Sequence, residues 1–222
     1  MVVYYAVGGG LGHLTRARAV VHTLGLTEPL TVITASPFCD DLSVLGDANI
    51  IRITLELSAD LELYQSWLLH VISSLDPRAL FIDAFPGGLF GEFCDLPLPL
   101  GLQVYHVARL LKWSRYEHRL WGEPPPYEMS FCVEPLTEEH RRYLETHSCQ
   151  VVDLELSDPP ADIPRQMVPR VDELTEIADP LWLIVHSAPS WELDHLCDVA
   201  QRRARIEGAS PKFVVVSPSP VV

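Results

Sequence analysis

The amino-acid sequence predicts an α/β fold built on a doubly wound, mostly parallel sheet. Short, continuously apolar segments alternate along the chain with segments whose apolar residues recur at helical spacing. Continuous apolar runs are typical of strands that helices cover on both faces. A cluster of glycines directly after the first apolar run is typical of a tight strand-to-helix turn. Strand–helix alternation of this kind favours an open parallel sheet.

Six apolar runs are predicted to be the strands of this sheet. They lie at residues 2–7, 30–35, 50–54, 79–84, 102–108 and 130–134. Apolar residues at helical spacing predict helices over residues 14–24 and 61–75. Thr137 is predicted to be the N-cap of a further helix, because two acidic residues that suit the positive end of a helix follow it.

The pattern changes after Asp153. Residues 157–179 are rich in proline and acidic residues and predict a linker, since proline is excluded from helix and sheet interiors. Residues 180–222 hold one more strand–helix–strand pattern, and such a unit takes roughly 30 residues. We expect a main domain over residues 1–156 and this single βαβ unit. So short a unit buries little surface alone, and its strands are expected to dock on the main domain or on a second copy.

Composition excludes several classes of protein. Hydrophobic residues are 48% and charged residues 21%, which is an ordinary globular balance. The formal charge of −14 disfavours nucleic acid, whose phosphates need a basic footprint. No apolar run reaches the roughly 18 residues of a membrane span, so no transmembrane segment is expected. The cysteines are scattered without a CxxC pair, which favours free thiols and a cytoplasmic location.

Glycines fill four of the five positions from Gly8 to Gly12, and His13 follows them. Residues without a Cβ let an anionic ligand approach the amides at the start of a helix. A tight turn without a ligand is the alternative, but a turn needs fewer glycines. His13 could take a proton from a hydroxyl, or it could only pack the turn.

Two common glycine-loop motifs do not fit. A dinucleotide fingerprint would need a glycine where His13 stands and an acid at the end of the second strand, where residues 34–36 read Thr-Ala-Ser. The Gly-Lys-Ser/Thr triplet of a P-loop does not occur. The GxSxG elbow of hydrolases is absent as well.

Three stretches together resemble one known family. GGGLGHLTRA at residues 8–17 resembles the glycine loop of the N-terminal domain of GT-B glycosyltransferases, in particular predicted glycosyltransferases related to the peptidoglycan N-acetylglucosaminyltransferase. LFIDAFPGGLFGE at residues 80–92 is similar to a strand, Asp, Phe-Pro-Gly and Gly-Glu pattern of that family. HVARLLKW at residues 106–113, with Glu-Pro-Leu at 134–136, is the third stretch. The resemblance covers roughly residues 1–150.

This resemblance implies two facing Rossmann-like domains, with the acceptor mainly in the first and a nucleotide-sugar donor mainly in the second. It implies His13 as the catalytic base, Asp83 as the residue that orients it, and displacement at the sugar C1 without a metal or a cofactor. The residues expected to bind substrate are Gly9, Gly10, Gly12, Arg16, Glu92 and Arg109. Ser187 and Glu192 lie in a stretch, residues 185–192, that resembles a donor-binding loop.

Three hypotheses remain open from the sequence. The protein is a metal-independent glycosyltransferase that uses a nucleotide-sugar and a hydroxyl acceptor. Alternatively, it is a non-catalytic acceptor-binding subunit whose donor site comes from a homodimer or a partner chain. A third hypothesis is an epimerase-like GT-B protein that acts on nucleotide sugars.

Several other residues have a structural interpretation. Glu92 and Arg109 could simply be solvated or paired, as charged residues near strand ends often are. Trp113, Tyr116 and Trp121 are expected to pack in the core. His140 and His147 lie seven apart on the helix that Thr137 begins, too far apart for a shared metal, and both are expected at the surface.

Overall fold

The computed structural model describes residues 1–160, 180–186 and 190–216. The chain divides into two compact units, Met1–Pro159 and Pro160–Val222. The first unit contains the glycine loop, and the second contains the predicted βαβ pattern.

Over residues 1–160 the first unit is built on seven strands. These are β1 (Val2–Ala6), β2 (Leu30–Thr34), β3 (Asn49–Arg52), β4 (Ala79–Asp83), β5 (Gln103–Ala108), β6 (Met129–Cys132) and β7 (Val151–Asp153). They form one sheet in the order β3-β2-β1-β4-β5-β6-β7, and every neighbouring pair is parallel. The predicted doubly wound α/β fold is therefore confirmed.

Helices connect these strands. They are α1 (Leu11–Thr23), α2 (Leu42–Leu45), α3 (Leu55–Ser58), α4 (Leu61–Leu75), α5 (Trp113–Tyr116), a 3-10 turn (Glu117–Arg119) and α6 (Glu138–His147). The predicted N-cap of α6 is confirmed, because the Thr137 hydroxyl accepts a hydrogen bond from the His140 amide at 3.4 Å. The Asp60 carboxylate caps α4 in the same way, on the amide of Leu63 at 3.0 Å.

Helices cover the sheet on both faces. Tyr4 of β1 lies in the same apolar cluster as Leu14 of α1. Its neighbour Tyr5 points to the opposite face and packs in a second cluster with Tyr64 and Leu68 of α4. Successive residues of a strand face opposite sides of a sheet. Burial of both sides explains why the strands are continuously apolar rather than alternating.

The second unit contains the expected strand–helix–strand pattern. In its described residues, β8 (Leu181–Val185) pairs in parallel with β9 (Lys212–Val216), and α7 (Ser190–Glu207) connects them. The predicted linker lies outside the described residues from position 161 onward. The expected docking of β8 and β9 stays a prediction.

The prediction that His140 lies at the surface is wrong. Its side chain is fully buried, and the ring of Trp113 stacks on it with centroids 4.4 Å apart. The covering ring comes from a different element, so the pattern of α6 alone could not reveal it. Trp113 and Tyr116 are buried as expected, whereas Trp121 is 51% exposed and is not a core residue.

A second histidine, His106 of β5, is also fully buried. In the described part of the chain, none of the four ring nitrogens of this pair has a hydrogen-bond partner. Burial lowers the pKa of His106 to about 3, and repulsion from His140, when that ring is protonated, acts in the same direction. Burial also lowers the pKa of His140 to about 4. Both rings are therefore neutral in the folded protein at neutral pH.

These two histidines make stability depend on pH. Below the ordinary histidine pKa of about 6.5, these two histidines bind protons in the unfolded chain but stay neutral in the folded chain. The free energy of unfolding therefore falls as pH falls. The His140 contribution to this loss should be on the order of 2 kcal/mol between about pH 7 and pH 5.

Urea unfolding at a series of pH values measures this effect in the wild type, in His140→Leu and in His118→Leu, whose exposed ring is the control. His140→Leu should flatten the fall in stability, and His118→Leu should not. Identical pH profiles for the wild type and His140→Leu would contradict the account.

Candidate active site

The glycine loop lies where the strand order changes direction. Strand β1 lies between β2 and β4. The chain runs from β1 to β2 and β3 on one side, and then crosses to β4 on the other side. Ligands of open α/β sheets bind at such a switch point, outside the carboxyl ends of the strands. The loop joins the carboxyl end of β1 to α1, which puts it at this edge.

Helix α1 begins without a side-chain cap. Its N-cap residue, Gly10, has an extended backbone with φ of −113°, and the first turn holds no acidic residue. The positive end of the helix dipole is therefore not balanced by a side chain of its own first turn. This end of α1 favours an anionic or electron-rich ligand group.

His13 and Asp83 meet at the same edge of the sheet. Nδ1 of His13, in the first turn of α1, lies 2.7 Å from Oδ2 of Asp83, the last residue of β4. The carboxylate of Asp83 is fully buried, and the side chain of His13 is 15% exposed. The predicted contact between these two residues is confirmed. Their catalytic roles stay predictions.

Arg16 completes this cluster from the next turn of α1. Its Nη1 atom lies 2.9 Å and 2.8 Å from the two carboxylate oxygens of Asp83. Residues three apart on a helix share a face, so His13 and Arg16 reach the same carboxylate. Burial lowers the pKa of Arg16, but the Asp83 carboxylate raises it, and the net effect is a rise above the ordinary value.

The Arg16 guanidinium therefore pairs with Asp83 and does not extend into open space. A buried carboxylate is costly unless it is paired and hydrogen-bonded. Here the Arg16 guanidinium supplies the balancing charge, and the His13 ring contacts the same carboxylate. Arg16 positions Asp83, a role that its place in the sequence did not reveal.

Gly8 has a role that sequence reasoning missed. A Cβ atom at this position would lie 2.3 Å from Cδ2 and 2.5 Å from Nε2 of His13, so no side chain fits beneath the ring. At Gly9 and Gly12, an added Cβ would meet nothing within 4 Å. Gly8 therefore makes room for His13, whereas Gly9 and Gly12 border open space. Both kinds of glycine look alike in the sequence.

The chain turns sharply after Asp83. Ala84 has a left-handed backbone with φ of +69°, and its amide donates to the carbonyl of Val107 at 2.8 Å. Such a conformation costs an alanine on the order of 1 kcal/mol or more, and strain of this kind concentrates at functional sites. The turn brings the Phe85 ring to 6.4 Å from the His13 ring, measured between centroids.

Glu92 lies in the interior and stabilises the loop that follows β4. Its carboxylate accepts hydrogen bonds from the amides of Leu89 at 3.0 Å and Phe90 at 2.7 Å, and from the Tyr5 hydroxyl. Gly88, with φ of +87°, leaves space for this carboxylate, which an added Cβ would meet at 2.2 Å. Burial raises the pKa of Glu92, and these hydrogen bonds oppose the rise. The structure does not bring Glu92 to an open surface.

Arg109 lies at the edge of the same region. Its Nε atom is 3.7 Å from the carboxylate of Glu134, and both side chains are partly exposed. Glu134 lines a cleft of 240 Å³ together with Gly12, Thr15 and Arg16. Pockets for whole small molecules are about 300–1,000 Å³, so this cleft suits one part of a substrate.

In the second unit, the predicted donor loop is described only in part. Nε2 of His186 lies 3.0 Å from the carboxylate of Glu192, which ties the end of β8 to the first turn of α7. Ser187 lies outside the described residues. The assignment of both residues to a donor site stays a prediction.

The chain matches no protein-family model and no curated protein. Within residues 1–160, 180–186 and 190–216, no helix combines the length and apolarity needed to cross a bilayer. Over the same residues, no group of three or more histidine, cysteine or acidic side chains is arranged to hold a metal ion.

The contact between Gly8 and His13 gives a direct test of how the site is built. Gly8→Ala should push the imidazole away from Asp83, because the new methyl group would overlap Cδ2 and Nε2. Gly9→Ala is the matched control, since its methyl group enters open space. The ¹³C and ¹H shifts of the His13 ring, measured by NMR, should change strongly in Gly8→Ala and little in Gly9→Ala. Unchanged His13 signals in Gly8→Ala would refute this packing.

Proposed function

We propose that the protein is a metal-independent glycosyltransferase of the GT-B type, which moves a sugar from a nucleotide-sugar donor to a hydroxyl acceptor. The observation that carries this proposal is the pairing of His13 with a buried carboxylate beside a glycine loop. The Nδ1 atom of His13 contacts Asp83 at 2.7 Å, and the Nε2 edge of the ring lies against Gly8.

In this proposal His13 acts as the general base. With the Nδ1 proton donated to Asp83, the lone pair of a neutral ring sits on Nε2. The acceptor hydroxyl binds at Nε2, and its proton moves there as the oxygen attacks C1 of the donor sugar. Asp83 stabilises the imidazolium that forms, in the manner of the carboxylate in a catalytic triad. Arg16 keeps the carboxylate in place.

The bond changes balance without a further reactant. A bond forms between the acceptor oxygen and C1, and the bond between C1 and the phosphate oxygen of the donor breaks. The electron pair leaves with the nucleoside diphosphate, and attack from the opposite face inverts the configuration at C1. The uncapped start of α1 and the open space beside Gly9 and Gly12 support a polar substrate group at this edge.

In this proposal the loop at residues 185–192, with Ser187 and Glu192, supplies the donor site alone or with residues of a second chain. A non-catalytic acceptor-binding subunit is the second candidate. It is favoured by the described residues of the second unit, which form two strands and one helix.

Transfer activity tests the roles of His13 and Asp83. The chain is incubated with a panel of nucleotide sugars and hydroxyl acceptors, and mass spectrometry follows the release of nucleoside diphosphate and the formation of product. His13→Ala should lower kcat by roughly 10²- to 10⁴-fold, the usual cost of losing a general base. Asp83→Asn should also lower kcat, because the wrong tautomer is then held.

His22→Ala is the matched control, since His22 is an exposed histidine near the end of the same helix. It should keep the wild-type rate. Full activity of His13→Ala would overturn the base assignment. Nucleotide-sugar binding that appears only with a partner chain, without transfer by this chain, would favour the acceptor-binding subunit.

A further inference from the structure

A second, smaller pocket lies beside the candidate active site. It has a volume of 230 Å³ and lies between the loop after β4 and the segment after β5. Its lining consists of Phe85, Leu89, Leu111, Lys112, Arg115, Tyr116 and Arg119. Three of these residues are basic and none is acidic, although acidic residues outnumber basic ones by 30 to 16 in the chain. The lining of this pocket is therefore positively charged, although the whole protein carries a net negative charge.

Two of the three basic side chains of this pocket are free to bind a ligand. Lys112 and Arg115 are exposed, and within the described part of the chain neither side chain has an ion-pair or hydrogen-bond partner. Arg119 is fixed, because its Nη1 donates to the carbonyl of Leu89 at 2.9 Å. Several arginines elsewhere are paired, and examples are Arg18 with Asp158, Arg52 with Asp40, Arg78 with Glu28 and Arg141 with Asp153.

A wider cleft that Lys112 and Arg115 also line is a weaker candidate for an anion site. It measures 740 Å³, but Glu117 and Glu139 contribute to its lining. Their carboxylates would repel an anion there. The smaller pocket, without an acidic side chain in its lining, is where the positive charges can act together.

The smaller pocket is one side chain away from His13. Phe85 lines it, and the Phe85 ring lies 6.4 Å from the His13 ring and 5.3 Å from the Tyr116 ring, between centroids. The Tyr116 hydroxyl is itself fixed, accepting from the amide of Gly87 and donating to the carbonyl of Gly88, both at 2.8 Å. A ligand held in the pocket therefore rests on a rigid aromatic wall that also contacts the proposed base.

We propose that this pocket binds a phosphate group of the acceptor, whose hydroxyl then reaches His13. This inference rests on the proposed function and names the class of acceptor, a phosphate ester. Guanidinium groups bind phosphate oxygens in pairs, and an ammonium group adds a compact charge. The volume lies below the range of about 300–1,000 Å³ for whole ligands, which fits one charged group of a larger substrate. The phosphate belongs to a soluble ester or to a lipid headgroup.

The test measures phosphate binding directly. Wild-type protein at low ionic strength is titrated with inorganic phosphate and with glycerol 3-phosphate, and the amide signals of residues 85 and 111–119 are followed by NMR. Lys112→Ala/Arg115→Ala should bind about tenfold more weakly or worse, since two charge-assisted contacts are lost.

The control is Arg142→Ala/Arg203→Ala, which removes the same charge from two exposed arginines that pair within their own helices. It should bind phosphate as the wild type does. Equal affinities for the wild type and the Lys112/Arg115 variant, or no binding of any phosphate compound by the wild type, would overturn the inference.

Vesicles distinguish the two sources of phosphate. Binding to phosphatidylcholine vesicles that contain phosphatidic acid, but not to phosphatidylcholine alone, together with its loss in Lys112→Ala/Arg115→Ala, assigns the site to a headgroup. Binding of glycerol 3-phosphate without vesicle binding assigns it to a soluble ester. His13→Ala should keep phosphate affinity while it loses transfer. Loss of phosphate binding would therefore count against this inference, whereas absence of transfer would count against the proposed function.

Discussion

The candidate site depends on one buried charge, the carboxylate of Asp83. It has no exposed surface, and it is held by the Arg16 guanidinium at 2.8 Å and 2.9 Å and by the His13 imidazole at 2.7 Å. Because an unpaired carboxylate in the interior would be prohibitively costly, the end of β4 and the first two turns of α1 must stay together. Removal of either partner would leave the charge less well balanced and would free the other residue to move.

The surrounding structure is arranged around that contact. The parallel pairing of β1 with β4 brings the glycine loop and Asp83 to the same edge. Gly8 leaves the space that the His13 ring fills, and the left-handed turn at Ala84 directs the chain away immediately after the carboxylate. Glu92 then fixes the next part of the loop through buried hydrogen bonds. The open edge therefore combines a rigid base with a surface that is accessible beside Gly9 and Gly12.

Local patterns in the sequence predicted most of the sheet and its order of elements. Continuous apolar runs marked six of the seven strands in residues 1–160, because burial on both faces leaves a signal in each strand. Strand β7 was missed, since Val151–Asp153 is too short to show a period. The meeting of His13 with Asp83 was also predictable, because His13 follows β1, Asp83 ends β4, and the carboxyl ends of parallel strands share an edge.

Contacts between distant elements left no such signal. Gly8 lies against the His13 ring, whereas Gly9 borders open space, and the sequence does not distinguish the two glycines. The sequence also did not indicate that the Arg16 side chain would pair with the buried Asp83. His140 was placed at the surface because the Trp113 ring that covers it belongs to another element. Trp121 was expected in the core and is exposed. Each of these features depends on tertiary packing, which a single sequence does not encode locally.

The protonation pattern of the His13 ring tests the central claim most directly. Two-bond ¹⁵N–¹H correlations, recorded at a pH high enough for the ring to be neutral, distinguish a proton on Nδ1 from a proton on Nε2. We predict the Nδ1–H tautomer in the wild type and its loss in Asp83→Asn, with the Arg16 contact weakened at the same time. A proton on Nε2 in the wild type, or a pattern that Asp83→Asn leaves unchanged, would contradict the account.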